Sequence, residues 1–181
     1  VSDIFHNLIR RVDLVTNTVS YFCGVYATNG FVDGDCTSAS FANPRDLAFF
    51  PNEAYVLVAD QANHAIRKID MVTKIVSTLS GTGAAGLVNG PLLSSLYYYV
   101  IGLTMSSSGS HVIVADRDNN VFRKIVLVIS SFSPTVSPTT TSRVVHTIAG
   151  DGVAGLLDGP GSSARFNDPR SVCFAPDGAY I

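Results

Sequence analysis

Residues 56–70 read VLVADQANHAIRKID, and residues 112–126 read VIVADRDNNVFRKIV. Two such stretches, 56 residues apart, make an internal repeat, and the rest of the chain falls into register with it. A weaker copy, VSDIFHNLIRRVD (1–13), sets Asp3 against Asp60 and Ile9-Arg10-Arg11-Val12 against Ile66-Arg67-Lys68-Ile69. A glycine-rich stretch recurs as IVSTLSGTGAAGLVNGP (75–91) and VVHTIAGDGVAGLLDGP (144–160), with a degenerate form, TVSYFCGVYATNGFVDG, at 18–34. A third register joins FANPRDLAFFPNEAY (41–55) to FNDPRSVCFAPDGAY (166–180). The offset between the second and third glycine copies grows to 69, and the Ser/Thr/Pro-rich stretch SSFSPTVSPTTTS (130–142) accounts for the surplus as an insertion within a repeat.

One unit reads as four short strands: 45–50, 54–59, 65–70 and 74–80. They are rich in β-branched residues and bounded by Gly, Pro, Asn or Asp. No 3.6-residue periodicity is sustained, and only PLLSSLYYY (91–99) suggests a single helical turn. Four antiparallel strands repeated in series are the pattern of a β-propeller blade, so the expected fold is all-β, a propeller arc of about three blades' worth of chain.

VADQANHAIRKID and VADRDNNVFRKIV, followed by VSTLSGTGAAG or VHTIAGDGVAG and then by ARFNDPRSVCFAPDG, resemble NHL repeats over nearly the whole chain, 2–181. The resemblance implies a propeller, commonly six-bladed, used mostly as a binding platform. A minority of members are lyases or hydrolases with a metal at the central channel, and some bind RNA. On this reading residues 1–181 form one NHL segment. It holds the end of a blade (1–23), a blade (44–80), a second blade with the insertion (100–149) and the start of another (169–181). The remaining blades of a longer parent chain are expected to complete closure.

The glycines invite a sharper reading, because Gly81-x-Gly83-x-x-Gly86 and Gly150-x-Gly152-x-x-Gly155 spell a dinucleotide-binding turn. Such a fingerprint must open a helix, and here turn sequences follow (LVNGP, LLDGP), so the expectation is a shaped connection and no cofactor. DRDNN (116–120) begins like a calcium loop, but Val121 and Leu127 stand where the glycine and the bidentate glutamate belong. His64 aligns with Asn120 and Asn7, and His6 with Asn63 and Asn119, so no trio of histidines converges as a channel metal requires. No metal and no catalytic residue are expected from this segment.

Net charge is -2 and charged residues make up 14%, which argues against a phosphate-neutralising nucleic-acid binder. The dibasic pairs Arg10-Arg11, Arg67-Lys68 and Arg123-Lys124 recur on the third strand, where neighbours point to opposite faces. The plain expectation is a solvated strand with one member packed by its aliphatic stem. No apolar run is long enough for a membrane span. Cys23 and Cys36 leave a pair or two separate thiols open.

In a propeller the fourth-to-first and second-to-third connections open on one face. That face carries the loops 24–43, 81–99 and 150–168 and the turns 60–64 and 116–120. The expected function is a non-catalytic scaffold contacting a protein partner there, through Asp33, Asp35, Asp60, Asn63, His64, Asn89, Tyr98, Tyr99, Asp116, Asp118, Asn119 and Asp158. Within that set Asp60 and Asp116 are expected to fix the second-to-third turn by accepting neighbouring N–H bonds. Tyr97 is expected to replace a core Phe (Phe41, Phe166), leaving Tyr98 and Tyr99 outside.

Overall fold

A computed structural model describes residues 1–127 and 143–181, so the insertion at 130–142 lies outside the described residues. The described strands form three antiparallel sheets. The first holds β1 (Ser2–Asp3), β2 (Leu8–Asp13) and β3 (Thr18–Cys23). The second contains β4 (Gly34–Asp35), β5 (Pro44–Phe49), β6 (Tyr55–Asp60), β7 (Ala65–Asp70) and β8 (Ile75–Ser80), in the order β5-β6-β7-β8-β4. The third repeats it with β9 (Gly90–Pro91), β10 (Val100–Met105), β11 (His111–Asp116), β12 (Val121–Val126) and β13 (Val144–Ala149). These are propeller blades, and they do not close into a ring.

The apolar run of β6 shows how blades stack. Successive side chains of a strand point to opposite faces, so a continuous apolar run implies burial on both. Val56 and Val58 pack with Ile9, Phe41, Ile69 and Val76 between the first and second blades. Leu57 and Ala59 turn the other way and pack with Tyr97, Val100, Val112 and Val114 between the second and third. Each fully buried Val or Leu contributes roughly 1.5–3 kcal/mol.

Second and third strands are joined by single 3-10 turns: Ile4–His6, Gln61–Asn63 and Arg117–Asn119. Each ends on a residue with left-handed backbone, Asn7, His64 or Asn120, at φ between 50° and 57°. That is why Asn and His exchange at this position: both tolerate a conformation most side chains avoid. The stretch 91–99 likewise holds one short turn of 3-10 helix, Leu92–Ser94.

The long loops are wedges. The first two each leave the outer strand of one blade, pair briefly with the outer strand of the next (β4 with β8, β9 with β13), and return to that blade's inner strand. Their second halves are buried between blades, with Ala39, Phe41, Ser95 and Tyr97 all at or below 1% exposure. Two glycine positions explain the G-x-G pattern. A Cβ at Gly81 would sit 2.6 Å from the His64 carbonyl oxygen, one at Gly150 2.6 Å from that of Asn120, and one at Gly24 2.8 Å from that of Asn7. The middle glycine receives the preceding wedge: Phe31 lies against Gly83, and Leu87 against Gly152. The first wedge has no glycine between Gly24 and Gly30, which a phosphate cradle would tolerate poorly.

Candidate interaction face

The face named by the sequence divides into a buried frame and an exposed surface. The frame is built on Asp60 and Asp116, at the ends of β6 and β11, and on Arg67 and Arg123, seven residues later on β7 and β12. All four are fully buried. Asp60 accepts the Ala42 N–H on Oδ1 (2.7 Å), and Asn63 Nδ2 and Arg67 Nη1 on Oδ2 (both 2.8 Å). Asp116 repeats this with Tyr98 N–H (2.7 Å), Asn119 Nδ2 and Arg123 Nη1 (both 2.8 Å).

The arginines then clamp the wedge. Arg67 donates to the carbonyls of Ser40 (3.0 Å) and Val32 (2.8 Å) and to Asp33 Oδ1 (2.7 Å), its guanidinium lying over the rings of Phe31 and Phe41. Arg123 donates to Leu96 (3.0 Å), Val88 (2.8 Å) and Asn89 Oδ1 (3.0 Å), over the ring of Tyr97. Asn63 and Asn119 add bonds to the carbonyls of Gly30 and Gly86. Burial raises both aspartates above the ordinary carboxylate value, Asp116 to about 6, while their amide, backbone and arginine partners pull the other way.

Two of the twelve candidate residues, Asp60 and Asp116, are thereby corrected. Asp60 and Asp116 cannot touch a partner, and they hold N–H groups 18 residues upstream rather than those of their own turn. Asn63 and Asn119 spend their amides inside the same frame. The dibasic pairs are corrected too: in each of the later two blades the arginine is buried by its guanidinium, leaving only the lysine of the pair outside. The β-ladder slips between Ile66 and Arg67, and again between Phe122 and Arg123, and such a bulge re-aims a side chain.

Asp33 and Asn89 are exposed yet tied to the arginines, and to Thr78 and Thr147. Asp35 caps its own turn through the Thr37 N–H and hydroxyl. Asp158 stands on the exposed surface of the third wedge. Asp118 pairs with Arg117, which also bonds Asp168.

Three candidates do come together. His64, Tyr98 and Tyr99 form an aromatic cluster where the second and third blades meet. Ring centroids are 5.6 Å apart for His64–Tyr98, 4.9 Å for His64–Tyr99, and 5.3 Å for the stacked tyrosines. His64 Nδ1 accepts the Tyr99 N–H at 3.1 Å, as Asn7 Oδ1 takes that of Asn43 and Asn120 Oδ1 that of Asp168. Burial lowers the His64 pKa, against a smaller opposing pull from Asp118.

Sequence reasoning missed the buried arginines, and also the exposed apolar pairs at the wedge tips: Phe31-Val32, Leu87-Val88 and Leu156-Leu157. Both had a signal, the seven-residue Asp-to-Arg spacing and the apolar pair preceding Asp33-Gly34, Asn89-Gly90 and Asp158-Gly159 at the same place of the repeat. Cys23 and Cys36, left open by the sequence, form a disulfide at the base of the first wedge. Among the described residues no group of three or more His, Cys, Asp or Glu is placed to hold a metal ion, and no helix is long and apolar enough to cross a membrane.

No family model matches the chain. A stretch of 133 residues is 40% identical to Protein SUPPRESSOR OF QUENCHING 1, chloroplastic, of Arabidopsis thaliana, covering 70% of this chain and 12% of that protein. Another of 94 residues is 32% identical to NHL repeat-containing protein 2 of Homo sapiens, covering 51% of this chain and 13% of that protein. This chain therefore spans only a small part of the relatives it matches. Among solved structures it is similar in fold to a protein of unknown function from Bacteroides thetaiotaomicron, with TM-score 0.69 and 18% identity over 94% of this chain and 38% of that one. An auxiliary nutrient binding protein from the same organism gives TM-score 0.67 and 18% identity over 96% and 39%. With repeats in register and blades of four antiparallel strands, the chain belongs to the NHL-repeat β-propeller family.

Proposed function

We propose that this segment is a non-catalytic scaffold whose wedge face docks a protein partner. The observation that carries the reading is the apolar pair at each wedge tip. Phe31 is 39% exposed and Leu87 44%, each followed by an exposed Val. Large apolar side chains recurring at one position of successive blades, on loops pinned from below by a buried arginine, supply contact area at little ordering cost. The metal-dependent enzyme alternative draws on no residue described above.

The test is photo-crosslinking in the full-length protein, with the cross-linking residue at Val88 on the wedge tip or at Val72 on the β7–β8 turn, at the blade's other end. One discrete adduct is expected from Val88 and none from Val72. The same pattern from both positions, or none from Val88, would overturn the proposal.

A further inference from the structure

The second and third blades leave a groove between them at the end opposite the wedge face. The β5–β6 turn of one blade meets the β10–β11 turn of the next there, with Pro51 Cδ 3.3 Å from where a Cβ on Gly109 would stand. The space beside this contact measures about 410 Å³, within the range of small-molecule sites. A second hollow of about 350 Å³ lies beside Ser77 and Thr78. Lys68, Leu79 and Arg143 line both, so the two are parts of one groove.

What sets the groove apart is a pair of cations without counter-charges. The junction between the first and second blades has a basic residue at each of the same two repeat positions, and both are engaged. Arg11, the counterpart of Lys68, pairs with Asp13 at 3.3 Å. Lys74, the counterpart of Arg143, donates to the Met71 carbonyl and lies over the Phe22 ring, 4.9 Å from its centre.

In the groove Leu79 stands where that junction has Phe22. Asp70, in the place of Asp13, keeps the N–H bonds of its turn, from Val72 and Thr73, but not the ion pair. Lys68 is half-buried and lies over the Tyr55 ring, 4.6 Å from its centre. Among the described residues neither Lys68 nor Arg143 has an ion-pair partner, and no Asp or Glu lines either part of the groove. None occurs anywhere in the sequence between Asp118 and Asp151, the stretch that carries Arg143.

A half-buried cation without a counter-charge favours an anion. Arg143 brings a planar fork that suits two oxygens of one acid group, and Lys68 brings a point charge. The surrounding walls favour an apolar body: Phe50 and Tyr55 meet edge to face at 5.4 Å, and Leu79 and Leu127 extend the lining. We infer that the groove binds a small organic anion, its acid group between Lys68 and Arg143 and its apolar body against Phe50, Tyr55, Leu79 and Leu127. The site is at the other end of the blades from the wedge tips and is independent of what docks there.

The experiment is calorimetric titration of the full-length protein with 2-naphthoate, beside 2-naphthamide, which has the same body and no charge. The acid is expected to bind saturably and the amide at least tenfold more weakly. Lys68→Met and Arg143→Gln should each weaken the acid about tenfold, the scale of one charge-assisted hydrogen bond, without lowering the melting temperature. Lys74→Met, at the engaged position of the preceding junction, should leave its affinity unchanged. Inorganic phosphate, which has charge and no apolar body, should not displace it at equal concentration. No saturable binding, equal affinity for the amide, unchanged affinity in either groove variant, an equal loss in Lys74→Met, or displacement by phosphate would overturn the assignment.

Discussion

The wedge of residues 24–43 and the wedge of residues 81–99 fill the same space in successive blades and hold it by different chemistry. At the base of the first, Cys23 and Cys36 are joined covalently, with Cα atoms 4.4 Å apart. The corresponding residues of the second are Ser80 and Leu92, where the serine hydroxyl donates to the Leu92 carbonyl at 2.9 Å and meets the Tyr97 hydroxyl at 2.8 Å. At the tip, Arg67 faces two carboxylates, Asp60 and Asp33, whereas Arg123 faces one, with Asn89 in the second place. The buried frame of aspartate, asparagine and arginine is common to both. The frame takes the same three carbonyls in each wedge, Gly30, Val32 and Ser40 in the first and Gly86, Val88 and Leu96 in the second, whatever stands at base and tip.

Removing the frame should therefore have the largest effect and be similar in the two wedges. Arg123→Met leaves Asp116 buried without its cation and is expected to cost about 3–5 kcal/mol in urea unfolding, with Arg67→Met alike. A loss under 1 kcal/mol in either would show that the frame is not what holds the wedge.

Next comes the covalent base. Cys23→Ser with Cys36→Ser opens a short loop and should cost about 2–3 kcal/mol. Hydrogen exchange should quicken at residues 30–40 while the amides of residues 86–96 stay as protected as before. Equal quickening of both would mean that the wedges are coupled.

The hydrogen-bonded base is weaker. Tyr97→Phe, which makes the second wedge resemble Phe41, should cost about 1 kcal/mol, the worth of one buried hydrogen bond with its partner partly left over. A neutral result would mean that the Leu92 carbonyl alone satisfies Ser80.

The smallest effect is a pH dependence in the blade link. His64 has its folded pKa lowered from 6.5 by burial, so its stabilising contribution is complete above that value and declines as pH falls through the window below it. His64→Asn copies Asn7 and Asn120 and should flatten this decline. The difference in melting temperature between wild type and variant, followed from pH 7 to 5, isolates it from His111 and His146, which are lowered in the same direction, and from Asp116, which is raised. Parallel curves would show that His64 is not the group responsible.

The fold was legible because repetition turns local pattern into architecture. The run VLVA recurs as VIVA, and a strand apolar on both faces can only stand between neighbours. The frame was harder to read. Asp60 follows a strand and precedes a turn, a place where aspartate is usually exposed, and nothing local shows that Ala42 comes back to meet it. Arg67 was hidden by the alternation rule, since the bulge beside it breaks the regular in-and-out order. The pairing of Cys23 with Cys36 depended on how far the first wedge closes on itself, a distance no spacing in the sequence encodes. Tyr98 and Tyr99 were legible as departures from their own repeat, for the repeat supplied the residues to compare with them.

The contact between one wedge's apolar tip and the next wedge's glycine runs in a single direction along the chain. Phe31 touches Gly83 and Leu87 touches Gly152, which leaves them 39% and 44% exposed, while Leu156 is 96% exposed. For a chain emerging from the ribosome, each new blade shields the tip of the one before it and presents one of its own. However many blades are made, the apolar surface awaiting a neighbour at the growing edge stays that of a single wedge, which limits the opportunity for mispairing between half-made molecules.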